Sequence, residues 1–469
     1  MTVFHVSAEC FPVAKVGGLA DVVGSLPKYQ NKMGIESSVI MPFYNNTFTE
    51  KNTFTSVFKS TAFLGHYEFD FEVLTLRENN LGYPIYFINV PSLLYRHYVY
   101  SYEDTERFLA FQIAALDWIS SQDKLPDVVH CHDHHTGLIP FMMAQSYKYR
   151  RLSGVPSVIT IHNAQYQGSF SHDKVYMIPE FDFNKVGLID WDHQINPLAA
   201  AIKSAWKLTT VSPHYMEELK YAAKGLEGLL QHETAKCVGI LNGIDTDVWN
   251  PKTDDNLIKN YTIASNVSGK KANKEWLCAN FDLNPDKPLF VFIGRLVEEK
   301  GADLFPGIFD LALQENDINI LLLGSGENHV EYELDLLKYK YPKRYNCYIG
   351  YHEKLAHIMY AGGDFLLMPS RVEPCGLNQL YALRYGTIPI VSEVGGLYDT
   401  VKDIGEAGGF GFVHRYVNVL EVAHAIHRAA SFYKNDQKNF KKIRKVIMGK
   451  DHSWEVSAQT YINLYKSLN

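Results

Sequence analysis

The sequence predicts an α/β protein with two open parallel sheets. Short, continuous runs of apolar residues rich in Val, Ile and Phe recur along the chain, separated by stretches with helical periodicity. Continuous runs, unlike alternating ones, indicate strands buried on both faces, as in parallel sheets covered by helices. The runs are too many for one ordinary sheet, which favours two.

The predicted strands fall into two series. The first comprises residues 3–7, 37–41, 73–76, 85–89, 128–131, 157–161, 208–211 and 237–241, and the second 289–293, 318–323, 346–349, 365–368 and 388–391. Between them, "LNGIDTDVWNPKTDDN" has the composition of a loop and predicts the junction of two domains. The final segment, "SWEVSAQTYINLYKSLN", has its apolar residues at helical spacing and predicts a last helix.

Composition and charge exclude several classes of protein. The chain has 469 residues, 46% hydrophobic and 21% charged, which is the balance of a globular protein. A formal net charge of -7 argues against nucleic-acid binding but leaves room for a small anionic ligand in a local pocket. We expect no signal peptide and no membrane span, because the sequence has neither a leader pattern nor a long apolar run. The six widely spaced cysteines indicate a reducing, cytoplasmic location.

The stretch "KVGGLADVVGSLP" directly follows the first predicted strand. Gly17 and Gly18 would let backbone N–H groups approach a ligand, and a helix beginning near Leu19 would favour an anion at its N-terminus. Lys15 would add a positive charge. The alternative is a glycine-rich turn with a solvated lysine, and the pattern matches no standard nucleotide-binding loop.

Two stretches of the second half also follow predicted strands. "IGRLVEEKG" offers Arg295, which can hold two phosphate oxygens, and Lys300, a compact point charge; an ordinary salt-bridged loop is the alternative. In "MPSRVEPCGLNQLYALRYG", Pro374 suits the first position of a helix, so we predict that a helix begins there. The following amides would then bind an anion or sugar hydroxyls beside Glu373, unless that carboxylate only caps the helix.

Two further stretches raise the question of a metal ion. "HCHDHHTG" places His130, His132 and Asp133 at a strand end, where a polar pocket wall is more common than a metal site. His162 follows the next strand, where it could contact substrate or be an ordinary hydrogen-bonded histidine. "IDTDVW" contains an Asp-x-Asp pair, for which a turn cap is the better interpretation.

Six segments, taken in order, carry a resemblance to a known family. They are "KVGGLADVVGSLP", "HNAQYQG", "LNGIDTDVWNP", "GRLVEEKG", "MPSRVEPCGLNQLYALRYGTIPIV" and "GGLYDTV". The chain resembles the bacterial glycogen synthases and plant starch synthases from near residue 1 to the final helix.

The resemblance implies a GT-B fold, with two facing Rossmann-like domains and an active-site cleft between them. Residues 1–245 would form the acceptor-side domain, residues 246–450 the nucleotide-sugar domain, and residues 451–469 a helix that crosses back to the first domain. The reaction it implies is glucosyl transfer from ADP-glucose to the non-reducing end of an α-1,4-glucan, with retention. No metal or other cofactor is implied, and the resemblance leaves the oligomeric state open.

The same resemblance assigns roles to individual residues. The catalytic group would comprise Lys15, His162, Arg295, Lys300 and Glu373. The donor-binding group would comprise Gly17, Gly18, Asp21, Asn242, Asp245, Tyr351, Cys375, Gly376, Leu377 and Asn378. Within these groups, Arg295 and Lys300 would hold the diphosphate, and Tyr351 would stack on the adenine. Asp133 would border the acceptor.

Several positions depart from the family pattern. The family often has Trp at the position of His134 and Thr at that of Asn378, and the chain is shorter than many relatives near residue 100. Tyr381 stands where a related group of transferases has a second Glu, which favours the glycogen synthases. The alternatives are a related transferase or phosphorylase that uses UDP-glucose or another acceptor, and a glucan-binding protein without activity.

Overall fold

The computed structural model describes residues 1–468, which form two compact units. Unit 1 contains residues 1–241 and the C-terminal segment that begins at Trp454, and unit 2 contains Asn242–Ser453. The chain therefore passes between units twice, after Leu241 and after Ser453. We predicted these junctions at 245/246 and 450/451.

Unit 1 is built on a mixed sheet. Among the described residues nine strands form it, in the order β11-β10-β7-β6-β1-β2-β5-β4-β3. The strands of unit 1 are β1 Thr2–Val6, β2 Glu36–Pro42, β3 Phe54–Leu64, β4 Tyr67–Leu76, β5 Ile85–Asn89, β6 Val128–His132, β7 Ser157–Ile161, the short pair β8 Asp190–Trp191 and β9 Gln194–Ile195, β10 Lys207–Thr210 and β11 Cys237–Gly239.

Helices cover this sheet. They are α1 Gly18–Lys32, α2 Thr47–Lys51, α3 Thr105–Ser121, α4 Ile139–Gln145, α5 Pro197–Ser204, α6 Pro213–Leu219 and α7 Glu227–His232. Helix α1 buries Leu19, Val22, Val23 and Leu26 on one side, at the spacing of an amphipathic helix. Since β1 is buried at all but its first residue, the sheet centre lies under these helices.

Unit 2 is an all-parallel sheet in the described part of the chain, with the order β14-β13-β12-β15-β16-β17. Its strands are β12 Leu289–Leu296, β13 Asn319–Gly326, β14 Tyr345–Ile349, β15 Phe365–Met368, β16 Ile388–Ser392 and β17 Phe412–His414. Renumbered from β12, this order is that of a Rossmann fold, whose ligands bind beyond the carboxyl ends of the strands where the order reverses. In unit 2 that point lies between β12 and β15.

The helices of unit 2 pack on both faces of its sheet and enclose two apolar clusters. They are α8 Asn266–Asn280, α9 Phe305–Glu315, α10 Asn328–Lys340, α11 Glu353–Gly362, α12 Asn378–Tyr385, α13 Gly395–Thr400, α14 Val419–Asn435 and α15 Gln437–Met448. The last helix, α16 Trp454–Lys466, belongs to unit 1. It buries Trp454, Tyr461 and Tyr465 against apolar residues of α1, including Val22 and Leu26.

Every predicted strand is present, and β5, β7 and β15 have the predicted bounds. Strands β3 and β17 and the short pair β8 and β9 were missed. The expectation of parallel pairing was wrong for β4, which pairs antiparallel with both β3 and β5. The reason for missing β3 is its exposure, since most of its residues face solvent and it lacks a continuous apolar run.

Candidate functional site

The loop after β1 holds the predicted lysine and glycines of unit 1. Lys15 Nζ lies 2.7 Å from Asp21 Oδ1, and about half of the lysine side chain (48%) is exposed. Helix α1 begins at Gly18, one residue before the predicted start. A Cβ added to Gly17 or Gly18 would meet no atom within 4 Å. The fold itself therefore does not require glycine at these positions.

Glu9 is a residue of this loop that we did not predict from the sequence. Its Oε2 accepts hydrogen bonds from the backbone N–H groups of Val16 at 2.6 Å and Gly17 at 2.9 Å. Its Oε1 accepts the Tyr100 hydroxyl at 2.6 Å, and the residue is buried. A carboxylate of the protein thus accepts hydrogen bonds from the amides of this loop. We had expected the amide of Gly17 to be available to a ligand, and it is not. The signal in the sequence was an acidic residue three positions after the end of the buried strand β1.

Asp133 and His162 lie together beyond the ends of β6 and β7. Asp133 adopts a left-handed backbone (φ 57°), and its Oδ1 accepts the backbone N–H of His162 at 2.7 Å. Burial raises the pKa of Asp133 to about 7, although the amides of His162 and Asn163 oppose that shift. Burial lowers the pKa of His162 to about 3, so its imidazole is neutral at pH 7.

Three buried histidines, His5, His130 and His132, bring one ring nitrogen each within 4.8 Å of the others, close enough for a metal ion to be considered. Each of their nitrogens already has a hydrogen-bond partner in the protein. The partners are Gln30 and His132 for His5, Tyr465 and Thr160 for His130, and His5 and His162 for His132. The arrangement is that of a satisfied hydrogen-bond network rather than of open ligand positions.

In unit 2, the centre of the candidate site is an ion pair beyond β12 and β15. Lys300 Nζ lies 2.6 Å from Glu373 Oε2, and the same oxygen accepts the Ser370 hydroxyl at 2.8 Å. Glu373 is buried, whereas 23% of the Lys300 side chain is exposed to solvent. Both residues were predicted from the sequence, but their pairing and the role of Ser370 were not.

Arg295 lies near the end of β12 and is far more open than Lys300. Its side chain is 69% exposed, and its Nη2 lies 3.8 Å from Glu299 Oε2. An exposed ion pair at that distance contributes little to stability, so the guanidinium can turn to a ligand at small cost.

The segment after Glu373 is not the helix start that we predicted. Helix α12 begins at Asn378, so Pro374 does not occupy its first position. Gly376 has φ +73°, a left-handed conformation that a helix cannot contain. The preceding residues instead approach α13 closely, because a Cβ on Gly395 would lie 2.0 Å from the Glu373 carbonyl oxygen.

The other predicted donor residues of unit 2 have varied environments. Asn378 Nδ2 donates to the Ile293 carbonyl at 2.6 Å, and the Leu377 backbone precedes α12 as its cap. Burial raises the pKa of the Cys375 thiol to about 12, so it is a neutral side chain. Tyr351 is 84% exposed, as a stacking residue would be.

Asn242 and Asp245 begin unit 2. Asn242 is buried, and its Oδ1 has no hydrogen-bond partner among the described residues. Asp245 Oδ1 accepts the backbone N–H of Asp247 at 3.0 Å, which is the turn cap considered for "IDTDVW".

Comparison with known proteins places this geometry in a family. The family model of the starch synthase catalytic domain matches residues 2–232, and that of glycosyl transferases group 1 matches residues 277–446. A glycogen synthase of Flavobacterium johnsoniae is 52% identical over 468 residues, covering 99% of this chain and 98% of that protein.

The chain belongs to the glycogen and starch synthase family of glycosyltransferases.

Other members of the glycogen and starch synthase family are also similar to this chain over its whole length. A glycogen synthase of Bacillus cereus is 38% identical and covers both chains completely. The solved catalytic domain of starch synthase IV from Arabidopsis thaliana, bound to ADP and acarbose, superimposes with a TM-score of 0.89 at 32% identity, covering 100% of this chain and 99% of that one. Sucrose-phosphate synthase from Thermosynechococcus elongatus, at 17% identity and a TM-score of 0.63, shares the fold. None of the described helices has the length and apolar character needed to cross a membrane.

One departure from the glycogen synthase pattern has a visible structural setting. The rings of His134 and His135 lie against each other at a tilt of 37°, with centroids 3.7 Å apart, and a Cβ on Gly168 would lie 2.5 Å from the His134 ring. Gly168, with φ +69°, thus makes room for this imidazole. A larger indole at position 134 would need a different course of the chain near Gly168.

Proposed function

We propose that this protein transfers glucose from ADP-glucose to the non-reducing end of an α-1,4-glucan, with retention at the anomeric carbon and without a metal ion. The observation that carries the proposal is the Lys300–Glu373 pair beyond the carboxyl ends of β12 and β15. Open parallel sheets bind ligands at this place, and the pair offers a cation for phosphate and a carboxylate for sugar hydroxyls.

The difficult step is the departure of the diphosphate. The bond between the anomeric carbon and the phosphate oxygen breaks, so negative charge grows on that oxygen and positive charge on the sugar. Fixed cations aimed at the leaving oxygen lower the barrier, and the loss of one such group typically costs about 3–4 kcal/mol. Lys15, Arg295 and Lys300 are the cations that we assign to this task.

Retention follows, in this proposal, from attack on the face that the diphosphate leaves. The acceptor O4 bonds to the anomeric carbon, and its proton passes to the departing phosphate oxygen, so ADP is released. Glu373 is a positioning and charge-stabilising group rather than a nucleophile. Its engagement by Lys300 and Ser370 supports this, because both contacts lower the nucleophilicity of the carboxylate.

The remaining predicted residues receive supporting roles in the same scheme. Asp133 contacts the acceptor glucan, and His162 contacts the transferred glucose. We assign binding of the nucleotide sugar to Gly18, Asp21, Asn242, Asp245, Tyr351, Cys375, Gly376, Leu377 and Asn378, and to Gly17 only through its lack of a side chain. Because Glu9 accepts the hydrogen bond of the Gly17 amide, we assign the Gly18 amide at the start of α1 as the backbone group that donates a hydrogen bond to the phosphate. We also propose a cytoplasmic location, which the six free thiols support.

The decisive experiment measures nucleotide release with a glycogen primer and three donors: ADP-glucose, UDP-glucose and glucose 1-phosphate. We expect ADP release with elongation of the primer, and at least tenfold slower reaction with UDP-glucose. Lys300→Met should abolish most turnover, whereas Lys271→Met, an exposed lysine of α8, should not. Faster reaction with UDP-glucose, phosphate release from glucose 1-phosphate, or glucan binding without nucleotide release would each overturn the proposal.

A further inference from the structure

A buried chain of hydrogen bonds connects Gln30 of α1 to His162 through two other histidines. Gln30 Oε1 lies 2.8 Å from His5 Nε2, His5 Nδ1 lies 3.1 Å from His132 Nε2, and His132 Nδ1 lies 3.0 Å from His162 Nε2. All four residues are buried. The second nitrogen of His162, Nδ1, has no hydrogen-bond partner among the described residues.

The sheet geometry explains why these side chains meet. Strands β1, β6 and β7 are neighbours, with His5 paired to His130 and His132 paired to Thr160. Each step of the chain moves one strand across and two residues towards the carboxyl ends, and side chains two residues apart share a face. The chain therefore begins within the sheet and ends at the edge where open sheets bind ligands.

The partners of Gln30 give this chain a direction. Its Oε1 accepts the Ser37 hydroxyl at 2.6 Å, so the atom that faces His5 Nε2 is an acceptor and that nitrogen carries the proton. His5 Nδ1 is then an acceptor and takes the N–H of His132 Nε2. His132 Nδ1 in turn accepts from His162 Nε2, which leaves Nδ1 of His162 without a proton.

A second arm from Gln30 agrees with this direction. Gln30 Nε2 donates to the Tyr465 hydroxyl at 3.3 Å, and Tyr465 lies 2.7 Å from His130 Nδ1. The arm continues from His130 through Thr160 and Thr209 to the Ile159 carbonyl. A carbonyl oxygen only accepts, so donation runs outward from the Gln30 amide along this whole arm.

The histidines of the chain carry one proton each at neutral pH. Burial lowers the pKa of His5 to about 4 and that of His162 to about 3, and it holds the pKa of His132 well below its usual value. A neutral imidazole has one donor and one acceptor nitrogen, so a chain of them transmits a choice of tautomer from one end to the other.

We propose that His5 and His132, fixed by Gln30, are positioning residues that hold His162 with its proton on Nε2 and its Nδ1 lone pair towards the substrate. The inference rests on the proposed function only in that the substrate group is a glucose hydroxyl of the donor. That hydroxyl donates to Nδ1. An imidazole with the proton on Nδ1 would instead donate to that hydroxyl, so the direction of the contact would be reversed.

The test is a two-bond 1H–15N correlation spectrum of the protein labelled with 15N at histidine, recorded at pH 7.5. Such spectra distinguish the two tautomers of each ring, and the His162 signals are those lost in His162→Gln. We expect Nε2 to be the protonated nitrogen of His162. Addition of ADP-glucose should shift Nδ1, and addition of ADP should not.

Two variants separate positioning from stability. In His5→Phe, His132 loses its fixed acceptor, so His162 should become a mixture of tautomers and kcat should fall about tenfold, with the donor KM within about twofold. Cys131→Ala is the matched control, because Cys131 is equally buried and lies between two histidines of β6 on the opposite side. It should lose stability without changing the tautomer or kcat.

The wild-type spectrum decides the proposal even if His5→Phe does not fold. A proton on Nδ1 of His162, or a metal ion bound by His5 or His132, would overturn it. An unchanged tautomer in a folded His5→Phe would remove His5 from the role. If the expected tautomer were found in a protein that releases no ADP, the proposed function would fail while the tautomer assignment stood. If the Nδ1 signal did not move when ADP-glucose was added, the proposed contact with glucose would be rejected.

Discussion

Lys300 Nζ lies 2.6 Å from Glu373 Oε2, so a cation and a buried carboxylate neutralise each other within unit 2. Glu373 also accepts the Ser370 hydroxyl, which fixes the carboxylate from a second side. Removing either charge leaves the other without its partner, and a charge left buried is costly. The pair therefore links the fold of unit 2 to the chemistry that we assign to it.

Substitution of Glu373 should reduce turnover more than donor affinity. We expect Glu373→Ala to lower kcat about 100-fold or more at saturating ADP-glucose, because it frees Lys300 and removes the group that positions the sugar. Glu373→Gln keeps an acceptor oxygen for Ser370 and should lose less. Glu353→Ala, an exposed residue in the first turn of α11, is the control. Near-normal turnover in Glu373→Ala would contradict the assignment.

Gly18→Ala should separate ligand approach from folding. The added Cβ meets no atom of the fold, and alanine is the better helix former at the start of α1, so the unfolding temperature should not fall. If the Gly18 amide contacts phosphate, the methyl group should raise the donor KM about tenfold. Gly154→Ala, equally open and in a turn that precedes the amino end of β7, should leave KM unchanged. Equal KM values in both variants would argue against phosphate at this loop.

Acid should destabilise unit 1 through its buried histidines. Burial depresses the pKa of His5, His130, His132 and His162 below the unfolded value of about 6.5. Below pH 6.5 these histidines bind protons in the unfolded chain but not in the folded chain. Their contribution to the free energy of unfolding is therefore fully present above pH 6.5 and is lost as pH falls towards the folded pKa values. Each histidine contributes roughly 1.4 kcal/mol per pH unit in that window.

We therefore expect the unfolding temperature of the protein to fall steeply between pH 6.5 and 5. His5→Phe should show a shallower dependence, because it removes one of the titrating groups. The same slope in both proteins would show that His5 is already charged in the folded state.

Asp133 should act in the opposite direction over a similar range. Its folded pKa, raised to about 7 by burial, exceeds the unfolded value of about 3.9, so the folded chain holds the proton more tightly. Stability is thus lost as pH rises from about 4 to about 7. Asp133→Asn keeps an acceptor for the His162 amide but cannot ionise. Its unfolding temperature should exceed that of the wild type by several degrees at pH 8 and match it at pH 4. One carboxyl group cannot outweigh four histidines, so the net response of the wild type remains acid sensitivity.

The periodicity of the chain was enough to predict its strands where both faces are buried. Ser157–Ile161 and Phe365–Met368 are buried at every residue inside parallel sheets, and their bounds were predicted. Phe54–Leu64 failed because its partly solvated residues give no apolar run. A continuous apolar run indicates a strand that is buried on both faces. A half-exposed strand at the edge of a sheet lacks such a run, so this pattern does not predict it.

The candidate site was predictable in its residue types and less so in its contacts. Proline after Glu373 suggested a helix start, but the left-handed Gly376 and the close approach to Gly395 override that local preference. Glu9 escaped because a carboxylate that accepts loop amides has no distinctive spacing. The link from His5 to His162 depends on strand order, which no local pattern reveals.

Helix α16 has a consequence for how the protein is made. It supplies Trp454, Tyr461 and Tyr465 to the core of unit 1, and Tyr465 bonds to His130 at its centre. During synthesis, the core of unit 1 therefore stays incomplete, with the α1 surface uncovered, until the whole of unit 2 has been translated. A premature stop codon after Ser453 would leave the complete sequence of unit 2 but would remove α16 from the core of unit 1.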